Sequence, residues 1–217
     1  MKTVISLCDL SGNVTQPWVD AGYRAILVDP QHGVTTMGDQ VTKFAGTIED
    51  AMDYLGHVIR THDVAMVFGW PPCTDMAVSG ARWFEDKRRA DPMFQAKAVA
   101  VAEQCRTIGR LSGAPWTVEN PVSVLASAFG KPSHYFHPWQ YTAYEPADSY
   151  TKKTCLWTGG GFVMPEPAID PEMGTPDNRI HFASPGPERA NIRSVTPMGF
   201  ARAVFAANHR PALEIAA

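Results

Sequence analysis

Two rhythms of apolar residues run along the chain. Short, mostly apolar stretches stand at residues 3–8, Tyr23 to Val28, Val64 to Phe68 and Trp116 to Val118. Runs this short, closed by turn residues, predict strands covered on both faces, as in a parallel sheet. Between them the spacing changes to that of a helix. Ile48, Ala51, Met52, Leu55, Val58 and Ile59 recur every three or four positions, so residues 48–60 predict a helix. Residues 92–111 are Ala-rich with few breakers and predict a longer one. Pro17 opens a short helix to Ala21 that Gly22 ends. Thr196-Pro197 opens the last helix, with Thr196 as N-cap and Phe200, Ala203, Val204 and Ala207 on one face. Weaker signals place a strand at Val41 to Ile48, a short helix at Val122 to Phe129 and a strand at Lys153 to Trp157. Asp75 to Asp91 reads as a loop or short helix, residues 33–40, 130–150 and 163–191 as irregular, and Pro211 to Ala217 as a frayed tail. Strands alternating with helices predict an α/β fold with a doubly wound, mostly parallel sheet.

In such sheets ligands bind at the carboxyl ends of the strands. Those ends hold the reactive residues here. Val64 to Phe68 runs into Gly69-Trp70-Pro71-Pro72-Cys73. Two prolines fix φ and end the ladder, so the Cys73 thiol is presented on a stiff turn, placed like a nucleophile. Asp9-Leu10-Ser11-Gly12-Asn13 follows the first strand, and Gly12 lets the backbone approach a ligand closely. Asp29 ends the second strand, where an acid hydrogen-bonds a ribose diol; with Pro30 it reads equally well as a turn residue. Glu119-Asn120-Pro121 closes the strand one crossover after that of Cys73, and those two strand ends should be neighbours.

Composition narrows the partners. Cys8, Cys73, Cys105 and Cys155 are far apart and form no CxxC pair, which argues against a zinc site or a disulfide scaffold and fits a reducing cytoplasm. His134 and His137 stand three apart with no further ligand in view, so no metal is expected. No apolar run approaches the ~20 residues of a membrane span. A net charge of −3 counts against a large duplex footprint, although charge can be local.

Four segments now stand in order: Asp9-Leu10-Ser11-Gly12 with Ala21-Gly22, Pro71-Pro72-Cys73 with Ser79-Gly80, Glu119-Asn120-Pro121, and Arg193-Ser194-Val195-Thr196-Pro197 running into Ala201-Arg202. In order and spacing the chain resembles the C5-cytosine DNA methyltransferases, most of all the short methylase-like proteins of phage genomes. The likeness covers residues 3–125 and 193–205. It departs where the first turn lacks the family's Phe, where Pro121 stands for its usual Val, and where Lys152-Lys153-Thr154 is a remnant of a Gln-x-Arg-x-Arg strand.

The resemblance implies one S-adenosylmethionine-dependent methyltransferase domain over residues 1–217. Residues 130–192 would be a small, loop-rich target-recognition region. It implies S-adenosyl-L-methionine as cofactor and cytosine in DNA as substrate. Cys73 would add to carbon 6 of the ring, because carbon 5 alone is a poor nucleophile and a thiol adds and leaves readily. Glu119 would hydrogen-bond ring nitrogen 3, Asn120 would hold the loop or the base edge, and Arg193 would support the active-site face. Asp9, Leu10, Ser11, Gly12, Asn13, Asp29, Pro30, Gly69 and Pro71 would line the cofactor side. Glu49 or Asp50 would meet the adenine, unless they are plain helix N-terminal acids.

Reaching carbon 5 requires an extruded or single-stranded base. Ser79, Arg82, Lys87, Arg88, Lys152 and Lys153 are candidate nucleic-acid contacts. Trp83, Tyr135, Phe136, Trp139 and Tyr141 are candidates to stack on bases, or else the core of an irregular segment. The short stretch between Thr154 and Arg193 leaves room for a short recognition sequence or none. Free deoxycytidine monophosphate, RNA, or a non-catalytic binding role are the alternatives.

Overall fold

The computed structural model describes residues 1–182 and 189–209; the tail from Pro211 to Ala217 lies outside the described residues. One sheet is built from β1 (Lys2–Leu7), β2 (Arg24–Val28), β3 (Thr36–Met37), β4 (Val41–Phe44), β5 (Asp63–Gly69), β6 (Trp116–Pro121), β7 (His134–Phe136) and β8 (Thr154–Gly159). Across the sheet they stand in the order β3-β4-β2-β1-β5-β6-β8-β7. From β4 to β6 all neighbours run parallel. β3 is antiparallel to β4, and β8 is antiparallel to both β6 and β7. The chain works outward from β1 to β2 and β4, then crosses back to β5 and β6. The reversal point lies between β1 and β5, which is where an open α/β sheet forms its crevice.

Helices α1 (Gln16–Asp20), α2 (Met52–Thr61), α3 (Phe84–Ala90), α4 (Phe94–Ser112), α5 (Leu125–Phe129), α6 (Arg189–Ser194) and α7 (Met198–Asn208) connect these strands or follow them. Side chains alternate across a strand. Ile5 and Leu7 of β1 therefore join one core with Leu55 and Val58 of α2 and Cys105 and Ile108 of α4. Val4 of β1 and Phe68 of β5 join the other with Trp18 of α1 and Phe200 and Val204 of α7. Helices cover both faces, which is why the central strands carry apolar residues on both.

Several elements differ from expectation. β4 stops at Phe44 instead of Ile48, because Asp50 Oδ2 accepts from Thr47 N and Thr47 Oγ1 and turns the chain before α2. The stretch from Asp75 to Asp91 is a 3-10 turn over Val78–Trp83 followed by α3. Residues 130–150 are not wholly irregular: β7 joins the sheet, and Phe136 stacks on Phe200 with ring centroids 3.8 Å apart. A three-residue strand is too short for its period to show in sequence. Part of the supposed target-recognition region thus belongs to the sheet and the core. Thr196 is not the N-cap of α7. Pro197 holds that position without a side-chain bond, and Asp148 Oδ2 takes the Gly199 N–H instead (2.7 Å).

Trp116 of β6 is wedged between two glycines. A Cβ at Gly109 of α4 would lie 2.6 Å from Trp116 Cγ, and one at Gly159 of β8 would lie 2.5 Å from Trp116 Cζ2. In a free helix, Gly to Ala would gain up to ~1 kcal/mol. Here the clash is with the root of the side chain, Trp116 Cβ (2.7 Å) and Cγ, which can shift only with the backbone of β6. Gly109→Ala is expected to destabilise the fold by about 1–3 kcal/mol, as overpacking does. A fall in the urea midpoint with an unchanged slope checks it.

Candidate active site

The turn after β1 is built from its own side chains. Trp70 Nε1 donates to Ser6 Oγ (3.0 Å), and Ser6 Oγ donates to Asp9 Oδ2 (2.7 Å). Asp9 Oδ1 accepts from Ser11 Oγ (3.0 Å) and from Gly12 N (2.8 Å). The buried Asp9 carboxylate is thus taken up by the turn and acts as its organiser. Cys8 and Gly12 both adopt the left-handed region, with φ of 57° and 73°. For the non-glycine Cys8 that conformation costs roughly 1–2 kcal/mol. Asn13 Nδ2 donates to the Thr196 carbonyl (3.2 Å) and ties the turn to the segment before α7. Leu10 is exposed.

Beside it lies the Cys73 turn. The buried Asn120 amide donates from Nδ2 to the Pro71 carbonyl (3.1 Å). Met76 N and Ala77 N donate to the Cys73 carbonyl (3.0 and 2.8 Å), which closes the next turn. Val78 N donates to the Val122 carbonyl and Val124 N to the Met76 carbonyl, lashing this segment to the chain leaving β6. Lys87 Nζ reaches back from α3 to the Thr74 carbonyl (3.0 Å) and Asp75 Oδ1 (2.6 Å). The thiol is therefore held from the β6 side and the α3 side together.

Four charged or reactive groups meet at this edge. Burial pushes the half-buried Cys73 thiol up from its usual range, and Glu119 pushes it further; Lys152 and Arg193 pull it down. Burial likewise pushes the Glu119 carboxyl up, against a downward pull from Lys152. Glu119 Oε1 is shut off from solvent and has no hydrogen-bond partner among the described residues. Asn120 Oδ1 is in the same state. Lys152 arrives because β8 is antiparallel to β6. Pro121 pairs with Thr154, so the residues just before β8 lie at the carboxyl edge, beside Glu119. In sequence Lys152 was indistinguishable from its neighbour Lys153, whose Nζ lies instead over the Tyr135 ring, 5.1 Å from its centroid.

The remaining candidates divide. Asp29 is buried, and its Oδ1 accepts from Gln31 N (2.8 Å), capping the 3-10 turn Pro30–His32. His32 was not foreseen. Its Nε2 is buried with no partner among the described residues, and burial, outweighing the pull of Asp29, holds the ring below its usual pKa. The one signal for it was a histidine three residues past the Asp29 acid. Asp50 is spent on the Thr47 turn, which holds its carboxyl below the usual range, and Glu49 is exposed. Gly69 serves packing: a Cβ there would stand 2.6 Å from Cys105 Cβ of α4. Lys87 and Arg88 are paired with Asp75 and Glu85, so they are not free cations. Ser79 and Arg82 are exposed, with the Arg82 guanidinium 4.9 Å from the Trp83 ring centroid. Arg193 reaches the Cys73 neighbourhood from α6.

Among the described residues no group of His, Cys, Asp and Glu is placed to hold a metal ion, and no helix is long and apolar enough to cross a membrane. A polar cavity lined by Lys2, His62, Ser112 and Gly160 opens at the opposite, amino edge of the sheet, away from Cys73. Compared with known proteins, the chain matches no family model and no curated protein.

Two outcomes follow from the electrostatics. A carboxyl whose folded pKa is raised supports folding fully below its ordinary value near 4.5, and that support is lost as pH rises through the folded value. Glu119→Gln should therefore be more stable than the native chain at neutral and alkaline pH, with the gap closing in acid; thermal melts across pH read this. Lys152 pulls the Cys73 thiol down, so Lys152→Gln should move the pH profile of Cys73 alkylation to higher pH, measured by iodoacetamide labelling and mass spectrometry.

Proposed function

We propose that this chain transfers a methyl group from S-adenosyl-L-methionine to carbon 5 of cytosine in DNA, with a short recognition sequence or none. The sheet would then be of the methyltransferase type, and residues 1–217 one methyltransferase domain. One observation carries the reading: Cys73, on the turn after β5, and Glu119, on the adjacent parallel strand β6, lie within electrostatic reach of each other and of Lys152, with Arg193 also reaching Cys73.

A cytosine ring between the two acids meets complementary chemistry. The Cys73 sulfur bonds to carbon 6. The electrons of the C5–C6 double bond shift to C4–C5, and those of C4–N3 shift to nitrogen 3. That nitrogen takes the proton of a neutral Glu119 carboxyl, which burial favours. Carbon 5 is then electron-rich. Lys152 and Arg193 favour the thiolate needed for the first bond. Once carbon 5 has bonded to the methyl, with the sulfonium leaving as a neutral thioether, the carbon 5 proton goes to water, the thiolate departs, and nitrogen 3 returns its proton to Glu119, which restores the ring.

The residues by the β1 and β2 ends fit the cofactor. Asp29 keeps one carboxylate oxygen, Oδ2, outside the Gln31 bond, available to a ribose hydroxyl. His32 Nε2, buried and unpartnered, offers a further hydrogen bond. The backbone from Leu10 to Asn13 would form the floor, while the place of a Gly12 side chain is taken by Leu27 Cδ1, 3.1 Å from where a Cβ would stand. When bound, S-adenosyl-L-methionine supplies the electrophilic methyl that carbon 5 accepts. Asp9 would act through the turn it shapes, its carboxylate being taken up by Ser6, Ser11 and Gly12.

The test is labelled methyl transfer to cytosine in duplex DNA, single-stranded DNA and free deoxycytidine monophosphate. Cys73→Ser should remove detectable transfer, and the native chain should form a covalent adduct with 5-fluorocytosine DNA at Cys73. Normal turnover by Cys73→Ser would end the proposal.

A further inference from the structure

We infer that the substrate is single-stranded DNA, laid across the carboxyl edge of the sheet with bases stacked on Trp83 and Tyr135. This rests on Cys73 and Glu119 being the methyl-transfer centre. Both rings are large and open to solvent, 52% and 44% exposed. Each carries a cation: Arg82 lies 4.9 Å from the Trp83 centroid and Lys153 lies 5.1 Å from that of Tyr135. An exposed aromatic face beside a positive charge suits a base with its phosphate, and every base has such a face to offer.

Both platforms are tied to the strand that carries Glu119. Trp83 ends the 3-10 turn that continues from Cys73, and that segment is fastened to the exit of β6 through the Ala77–Ser123 bridge. Tyr135 of β7 pairs with Cys155 of β8, which pairs with Asn120 of β6. Tyr135 is thus two strand spacings, about 10 Å, to the side of Asn120. A strand laid from one ring to the other would follow the edge where β6, the strand of Glu119, ends.

The charge pattern decides against a duplex. Lys87, Arg88 and Arg89 are all paired with acids of their own segment. Arg82, Lys152, Lys153 and Arg193 form no ion pair among the described residues. These few free cations suit a short run of phosphates on a chain whose net charge is −3. A single strand also presents its cytosine without the cost of unpairing.

Fluorescence anisotropy with a labelled cytosine-containing oligonucleotide, single-stranded and then in duplex, tests this on the full chain without cofactor. Single-strand binding should be at least tenfold tighter than duplex binding. The log–log slope against salt should be about −3 for four phosphates at roughly 0.7 each. Trp83→Ala and Tyr135→Ala should each weaken binding roughly tenfold, while Trp83→Phe and Tyr135→Phe keep most of it. Equal or tighter binding of the duplex or of the matching RNA overturns the inference. So does unchanged binding by both Phe and Ala variants, or displacement by free deoxycytidine monophosphate at oligonucleotide concentrations. Single-strand binding that follows this pattern without methyl transfer to any cytosine supports the surface and removes the chemistry assigned to Cys73.

Discussion

The bond from the Asn120 amide to the Pro71 carbonyl holds the site together. Pro71 lies just past the end of β5, where the ladder has stopped and no strand neighbour is left to meet its carbonyl. A buried carbonyl without a partner costs about as much as a lost hydrogen bond, typically 1–3 kcal/mol. Asn120 is fully buried at the end of β6, where its amide would be equally costly alone. Each group is tolerable because the other is there. Together they set the height of the Cys73 turn against β6, and so the position of the thiol relative to Glu119, one residue away on the same strand. Everything proposed about the reaction assumes that this relation is rigid.

Around that lock the site gathers like charges and then offsets them. A thiol and a carboxyl taken out of water both resist ionising, and each makes ionisation of the other harder. Lys152 and Arg193 oppose this from two sides: one flanks β8, the other sits on α6. On balance both groups stay raised: the carboxyl keeps its proton, as protonation of a ring nitrogen would require, and the thiol would give up its own as it adds, with the two cations easing that loss. The Asp9 turn contributes by contrast through shape. Its carboxylate is satisfied by Ser6, Ser11 and Gly12, so it fixes the backbone floor beside the crevice and leaves the polar contacts there to Asp29 and His32.

Much of the frame was legible in the residues. The mostly apolar runs at Ile5, Ile26 and Val67 marked strands covered on both faces, and the spacing of Leu55 and Val58 marked a helix packed on them. Gly69-Trp70-Pro71-Pro72-Cys73 announced a stiff turn at a strand end, since proline both fixes φ and lacks the N–H a ladder needs. The order of elements also made the ends of β5 and β6 neighbours. These are local properties, written in the identity of consecutive residues.

What the sequence could not settle depends on contacts between distant residues. Lys152 looked like any surface lysine, and only the antiparallel entry of β8 brings it beside Glu119. Asn120 had two possible duties, and the meeting of β6 with the β5 turn selected a bond to Pro71. Asp50, Lys87 and Arg88 carried charge in the sequence, but Asp50 and Arg88 find partners three residues away and Lys87 finds Asp75 twelve away. The resemblance put Gly69 on the cofactor side, and the fold adds a packing role, since its missing side chain leaves the gap that admits Cys105 of α4. Periodicity and turn chemistry therefore determined which elements form and in what order. Which side chains remain free to act was decided by tertiary packing, because a charge or a hydrogen-bonding group is spent or spared according to what the fold places against it.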